Sequence, residues 1–134
     1  MFVISSNTAN YRNILTTRIV GIDQNGTKKW EKGILYGDQV ISNSFILLSD
    51  GSFIIAGSMN YGPRSAFIVK IDNSGNQIWN KRFYPENSLD YIWEFNAVVE
   101  SKERTLTFLG YKAYVYSGTE RGLWLLRTDS DGNY

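Results

Sequence analysis

The stretch Ile22-Asp23-Gln24-Asn25-Gly26-Thr27-Lys28-Lys29-Trp30 returns 49 residues later as Ile71-Asp72-Asn73-Ser74-Gly75-Asn76-Gln77-Ile78-Trp79. A third copy, Thr128-Asp129-Ser130-Asp131-Gly132-Asn133-Tyr134, follows 57 residues after the second. Asp and Asn bond the backbone of their own turn and Gly supplies φ > 0, so each copy predicts a tight turn between two strands. The flanks repeat in step. Thr17-Arg18-Ile19-Val20-Gly21-Ile22-Asp23 aligns with Ala66-Phe67-Ile68-Val69-Lys70-Ile71-Asp72 and with Leu123-Trp124-Leu125-Leu126-Arg127-Thr128-Asp129. Ser52-Phe53-Ile54-Ile55-Ala56-Gly57 aligns with Thr105-Leu106-Thr107-Phe108-Leu109-Gly110. Phe2-Val3-Ile4-Ser5-Ser6 stands 51 residues before Phe53-Ile54-Ile55-Ala56-Gly57, and Asn10-Tyr11 has a counterpart in Asn60-Tyr61.

A period of roughly 50 residues lies in the range of propeller-type repeats. One period holds four short apolar runs, at about 28–35, 41–48, 52–58 and 65–71, then at about 77–84, 92–99, 105–111 and 122–128. Turn formers separate them: Ser49-Asp50-Gly51, Asn60-Tyr61-Gly62-Pro63 and Asp72-Asn73-Ser74-Gly75-Asn76. No stretch keeps a helical period. The runs are apolar on both faces: Phe67, Val69 and Ile71 point one way, Ala66 and Ile68 the other, and Phe45-Ile46-Leu47-Leu48 has no polar side. A sheet wet on one face alternates, so these sheets are expected to lie between neighbours. The expected fold is all-β, with β-propeller-type four-stranded antiparallel blades. A β-sandwich explains short strands but not a four-strand repeat.

In this frame the chain is a single propeller-repeat region, with a half blade over 1–27, a blade over 28–76 and a blade over 77–134. That makes about two and a half blades and an incomplete ring. Only the last two strands of the first blade are expected, from Phe2 and from about Thr17. The Asp-x-x-Gly-x-x-x-Trp unit is expected between the last strand of one sheet and the first strand of the next. Trp30 and Trp79 then dock on the adjacent sheet. Three expectations follow: a piece of a longer propeller, a chain that completes a ring by oligomerising, or an open stack. Bare apolar sheet faces make the isolated chain non-monomeric.

These residues resemble bacterial β-propeller repeat proteins whose blades read KxDxxGxxxWxK … DGxxIxAG. The resemblance runs through Asp23, Gly26 and Trp30, then Asp50, Gly51 and Gly57. It continues through Lys70, Asp72, Gly75, Trp79 and Lys81, and ends with Arg127, Asp129 and Gly132. The four-residue step from Gly26 to Trp30 and from Gly75 to Trp79 is similar to the tryptophan-docking motif of quinoprotein propellers. The second unit departs from it, Asp50-Gly51 being replaced by what reads as a longer turn over 100–104. The quinoprotein cofactor site is not recognisable, so the resemblance implies a fold and carries no catalytic residue. Many such proteins carry secretion or lipoprotein signals, which implies an extracellular or envelope location. The start, Met1-Phe2-Val3-Ile4-Ser5, does not itself read as a signal peptide.

The composition narrows the chemistry. Its 134 residues fit one domain, and with no histidine and no cysteine there is no imidazole base or ligand, thiolate nucleophile or disulfide. A net charge of +1 gives no footprint for nucleic acid, and no run approaches the ~20 apolar residues that span a bilayer. Asp129-x-Asp131-Gly132-Asn133 resembles the start of a calcium loop, but lacks its downstream glutamate and reads as a turn. Asp38, Asp50, Glu86, Asp90, Glu94 and Glu100 could serve a carboxylate glycosidase, yet none stands out as a pair. Tyr11, Tyr61, Tyr84, Tyr91, Trp93, Tyr111, Tyr114 and Tyr116 lie in or near expected loops and suit partner or sugar contact. Strand packing also accounts for Tyr91/Trp93/Phe95 and Tyr114/Tyr116. The segment 111–119 is the best candidate for a loop with its own function. The chain thus reads as a non-catalytic module for protein or glycan binding, without cofactor or metal. A scaffold completed by self-association is the alternative, and a carboxylate glycosidase a remote third.

Overall fold

Asp23, Asp72 and Asp129 each open a five-residue turn of one design. In the second copy the Asp72 N–H donates to the Asn76 carbonyl at 2.9 Å and the Gly75 N–H to the Asp72 carbonyl at 3.0 Å. The aspartate closes the turn from inside, its Oδ1 accepting from the N–H of Ser74 and of Asn76. Gly26, Gly75 and Gly132 hold φ of 79°, 75° and 79°, a region that costs any residue with a β-carbon. So tight a turn sends the chain back antiparallel to the strand it has just left.

The computed structural model describes residues 2–9, 15–34, 39–60, 64–83, 91–114 and 121–134. Ten strands are present among them: β1 (Phe2–Ala9), β2 (Leu15–Ile22), β3 (Lys28–Ile34), β4 (Val40–Leu47), β5 (Phe53–Asn60), β6 (Arg64–Ile71), β7 (Gln77–Phe83), β8 (Tyr91–Glu100), β9 (Leu106–Tyr114) and β10 (Arg121–Thr128). They form three antiparallel sheets, β1-β2-β3, β4-β5-β6-β7 and β8-β9-β10. No helix among the described residues is long and apolar enough to cross a membrane.

This grouping corrects the expected one. The tryptophan strands β3 and β7 do not begin new sheets; each pairs with the strand before it, Gly21 opposite Trp30 and Lys70 opposite Trp79. The Asp-x-x-Gly turn is therefore a hairpin within a sheet, and the first sheet has three strands rather than two. The four-strand count holds for the middle sheet alone among the described residues. The expected longer turn over 100–104 is also corrected. Residues 101–105 repeat the hydrogen bonds of 48–52 at equal length, with Arg104 at φ 59° where Gly51 stands at 82°.

The middle sheet is covered on both faces, as its alternation requires. Phe53, Ile55, Phe67, Val69 and Ile71 pack with Ile19 and Ile34 of the first sheet. Ile54, Ala56, Ala66 and Ile68 pack with Phe95, Val98, Leu106 and Phe108 of the third. Contact runs in chain order: β4 touches β1 and β2, while β8 lies across β4, β5 and β6. Burying such side chains contributes about 1.5–3 kcal/mol each, and here both faces of one sheet collect it.

Candidate functional site

The strands have two unlike ends. At one lie the five-residue turns 23–27, 48–52, 72–76, 101–105 and 129–133, all bonded alike. At the other lie the opposite ends of the strands, and the segments between them, 10–14, 35–38, 61–63, 84–90 and 115–120, fall outside the described residues. Residues at the strand ends away from such repeated turns are where binding side chains concentrate on a rigid scaffold.

At the loop end the middle and third sheets meet around Glu94. The register slips between Ser42 and Ser44 on β4 and between Phe95 and Ala97 on β8, leaving Asn43 and Asn96 at matching bulges. The strands approach so closely there that a β-carbon on Gly57 or Gly110 would collide with the carbonyl oxygen of Ile41 or Glu94. Both bulge amides turn to one carboxylate, each Nδ2 donating to Glu94 Oε1 at 3.0 Å. Arg64 Nη2 donates to Oε2 at 3.3 Å and Tyr111 Oη at 3.4 Å. Asn43 also donates to the Phe95 carbonyl at 2.9 Å. The Glu94 carboxylate is buried, and its oxygens are engaged by four donors, so it holds partners in place rather than standing free as a base.

Aromatic rings flank this cluster. Lys112 Nζ lies 4.0 Å from the Trp93 ring centroid and 5.1 Å from that of Trp124. Trp93 meets Trp124 at 4.9 Å, Trp124 stacks on Phe95 at 4.5 Å, and Tyr91 faces Tyr114 at 5.2 Å. Of the aromatics anticipated in loops, Tyr91 and Trp93 lie on β8 and Tyr111 and Tyr114 on β9, with Tyr91 opposite Tyr114. Residues 111–114 are thus strand rather than the expected loop. Tyr11, Tyr61, Tyr84, Tyr116 and the rest of 111–119 lie outside the described residues.

At the turn end each turn-opening aspartate is engaged within its own turn. Asp129 Oδ1 accepts from the N–H of Asp131 and of Asn133, while Oδ2 accepts from Asn133 Nδ2. These bonds, with the Asn133 side chain foremost, hold its pKa below the ordinary carboxylate value. Asp72 is lowered in the same way, chiefly by Asn76. Their oxygens are spent on the turn, and no cluster of three acidic side chains suited to a metal occurs among the described residues. Burial works against the charge of Asp50, but bonds from Ser52 and Lys70 outweigh it and bring its pKa to about 2. Lys70 is itself buried, reaching Asp50 Oδ2 at 3.0 Å and the Ser130 carbonyl of the next sheet's turn at 3.1 Å.

Of the anticipated carboxylates, Asp50 is engaged by Ser52 and Lys70, and Glu94 and Glu100 do not converge. Glu100 bonds Ser49 at the turn end, and Glu94 stands six residues away on the same strand, roughly 20 Å at strand rise. A glycosidase pair needs about 5–10 Å. Asp38, Glu86 and Asp90 lie outside the described residues.

One contact joins sheet to sheet twice. The Trp30 ring of the first sheet lies over the middle sheet's turn, where a β-carbon on Gly75 would fall 2.6 Å from Cζ3. Lys32, two residues on, donates to Asn76 in that turn. The Trp79 ring of the middle sheet lies on the third sheet's turn, where a β-carbon on Gly132 would fall 3.1 Å from Cη2. Lys81, again two residues on, donates to the Gly132 carbonyl. Both indole N–H groups are buried without an acceptor among the described residues. No protein-family model matches the chain, and no curated protein matches it either.

Proposed function

We propose that the chain is a non-catalytic β-propeller repeat module that contacts a protein or glycan at its loop end and is completed by a larger assembly. The observation that carries the propeller part is the repeated reach of Trp30/Lys32 and Trp79/Lys81 onto the following sheet's turn. A single rule joining each sheet to the next in chain order is what radially stacked blades require. The tryptophans act as docking residues that fix the angle between blades. The binding part is supported by the contrast between the ends. The turns consume their own polar groups, whereas the loop end gathers Trp93, Trp124, Tyr91, Tyr114 and Lys112. Aromatic faces of this kind stack on sugar rings or anchor protein contacts.

An array of immobilised glycans, probed with the wild type and with Trp93→Ala and Lys112→Ala, tests the binding part. Saturable binding that falls on the order of tenfold in each variant is expected, the worth of one aromatic or cation–π contact. Binding indifferent to both variants removes the loop end as the site, and a blank array removes the glycan in favour of a protein. Negative-stain images of the assembled particle test the ring, which rods would overturn. A scaffold completed by oligomerisation is the second reading, favoured by the bare leucines of the third sheet.

A further inference from the structure

The contact that occurs twice inside the stack is displayed, as separate halves, at its two ends. Its giving half in the middle sheet is the face made of Ile54, Ala56, Ala66 and Ile68, all wholly buried, with Lys70 reaching the next turn. The repeat places Thr107, Leu109, Leu123 and Leu125 at those positions in the third sheet, with Arg127 in place of Lys70. There nothing covers them among the described residues: Leu109, Leu123 and Leu125 are 40%, 86% and 68% exposed. Val99 adds to the same face through its pairing with Thr107.

The receiving half is the opposite face of a sheet together with its Asp-x-x-Gly turn. In the first sheet that face carries Val20 and Ile22, which alternate with the buried Ile19. Its turn is bare. Gly75 lies under Trp30 and Gly132 under Trp79, whereas a β-carbon on Gly26 would meet nothing within 4 Å. A shallow cleft of about 360 Å³ opens beside it, bounded by Asp23, Gln24, Asn25 and Lys29.

We propose that copies of this chain associate head to tail, the leucine face of one third sheet seating on the outward face of another copy's first sheet. The proposal rests on the stacked-repeat reading above and is independent of any ligand at the loop end. A second copy is the occupant because the internal contacts join unlike faces, and this chain carries the unlike face at its other end. The interface is looser than the internal ones, because Arg18 stands where Phe67 and Trp124 stand in the other sheets. Its pairing with Glu31 at 2.7 Å compensates the charge, and its stem can lie along the leucines. A contact between unlike faces leaves one free half at each end, so copies add until a ring closes or a chain extends.

The absence of cysteine makes the test clean. Val20→Cys and Leu125→Cys are prepared separately and mixed under mild oxidation. A disulfide joining the two variants, well above the dimer formed by either alone, is the expected result. Native mass spectrometry of the wild type should give multiples of 15.3 kDa that grow with concentration. Leu123→Asp/Leu125→Asp should return the 15.3 kDa species with an unchanged circular dichroism spectrum. A wild type at 15.3 kDa at every concentration overturns the proposal, as does a Leu125→Cys variant that links chiefly to itself. Linkage of residue 20 to 125 in an open filament keeps this interface and removes the closed ring, so the two readings fail separately.

Discussion

The two ends of the strands were built by different rules. At the turn end, five turns repeat one set of backbone bonds. At the loop end no two matching connections need agree, and a buried carboxylate draws donors from four residues. Local chemistry, satisfied inside five residues, can be copied from repeat to repeat. A network assembled across two sheets has nothing to be copied from, since the position of Glu94 is occupied by Ile41 in the preceding unit.

The largest effect should come from the loop end. Glu94→Ala strips the partner from Arg64 and from both bulge amides, and a buried pair broken from one side costs several kcal/mol. Arg64 is partly exposed, so roughly 2–3 kcal/mol is expected by urea unfolding, and a loss under 0.5 kcal/mol would refute the hub. Next is a pair of substitutions at the turn end. Gly26→Ala meets only the backbone cost of its positive φ, about 1 kcal/mol, whereas Gly75→Ala adds a clash with Trp30, for about 2–3 kcal/mol. Equal losses would show that Trp30 does not rest on that turn. Arg104→Gly should stabilise by about 1 kcal/mol, because it relieves the only positive-φ side chain among the described residues. A neutral result would mean that the arginine side chain repays its own strain.

The smallest effect is a matter of pH. The Asp50 carboxyl titrates at about 2 in the folded chain, below its ordinary 3.8. The stability it contributes is complete above pH about 4 and is lost as pH falls through about 2. Asp50→Asn should therefore trail the wild type in thermal melts at pH 6 and match it near pH 2, and a gap that widened in acid would reverse the assignment.

Much of the fold was legible because its signals are local. The opposite faces of Phe67/Val69/Ile71 and Ala66/Ile68 follow from alternation and were found as read. The grouping of strands was not, because a run of residues states that a strand exists and not which neighbour it pairs with. The hairpin geometry of Asp72–Asn76 decided that for β7. The turn 101–105 is not legible as a copy of 48–52, because Arg104 performs a glycine's part without its signature. At the candidate site, Trp93 and Tyr111 stand out in the sequence as aromatics, while Glu94 reads there only as one of several carboxylates. Its one signal was an acid set between two rings in an apolar strand.

The sandwiching of the middle sheet also fixes an order of opening. Stacked repeats hold together by the sum of each unit's own stability and its contacts with neighbours. The middle sheet has two such contacts and each outer sheet one. Amide protons of β5 and β6 should therefore exchange with solvent last, only when the whole stack comes apart. Those of β2 and β10 should exchange earlier, through fraying that leaves the centre intact. A copy docked head to tail would slow β10 of one chain and β2 of the other while leaving the middle sheet unchanged, turning the exchange of the outer strands into a gauge of assembly.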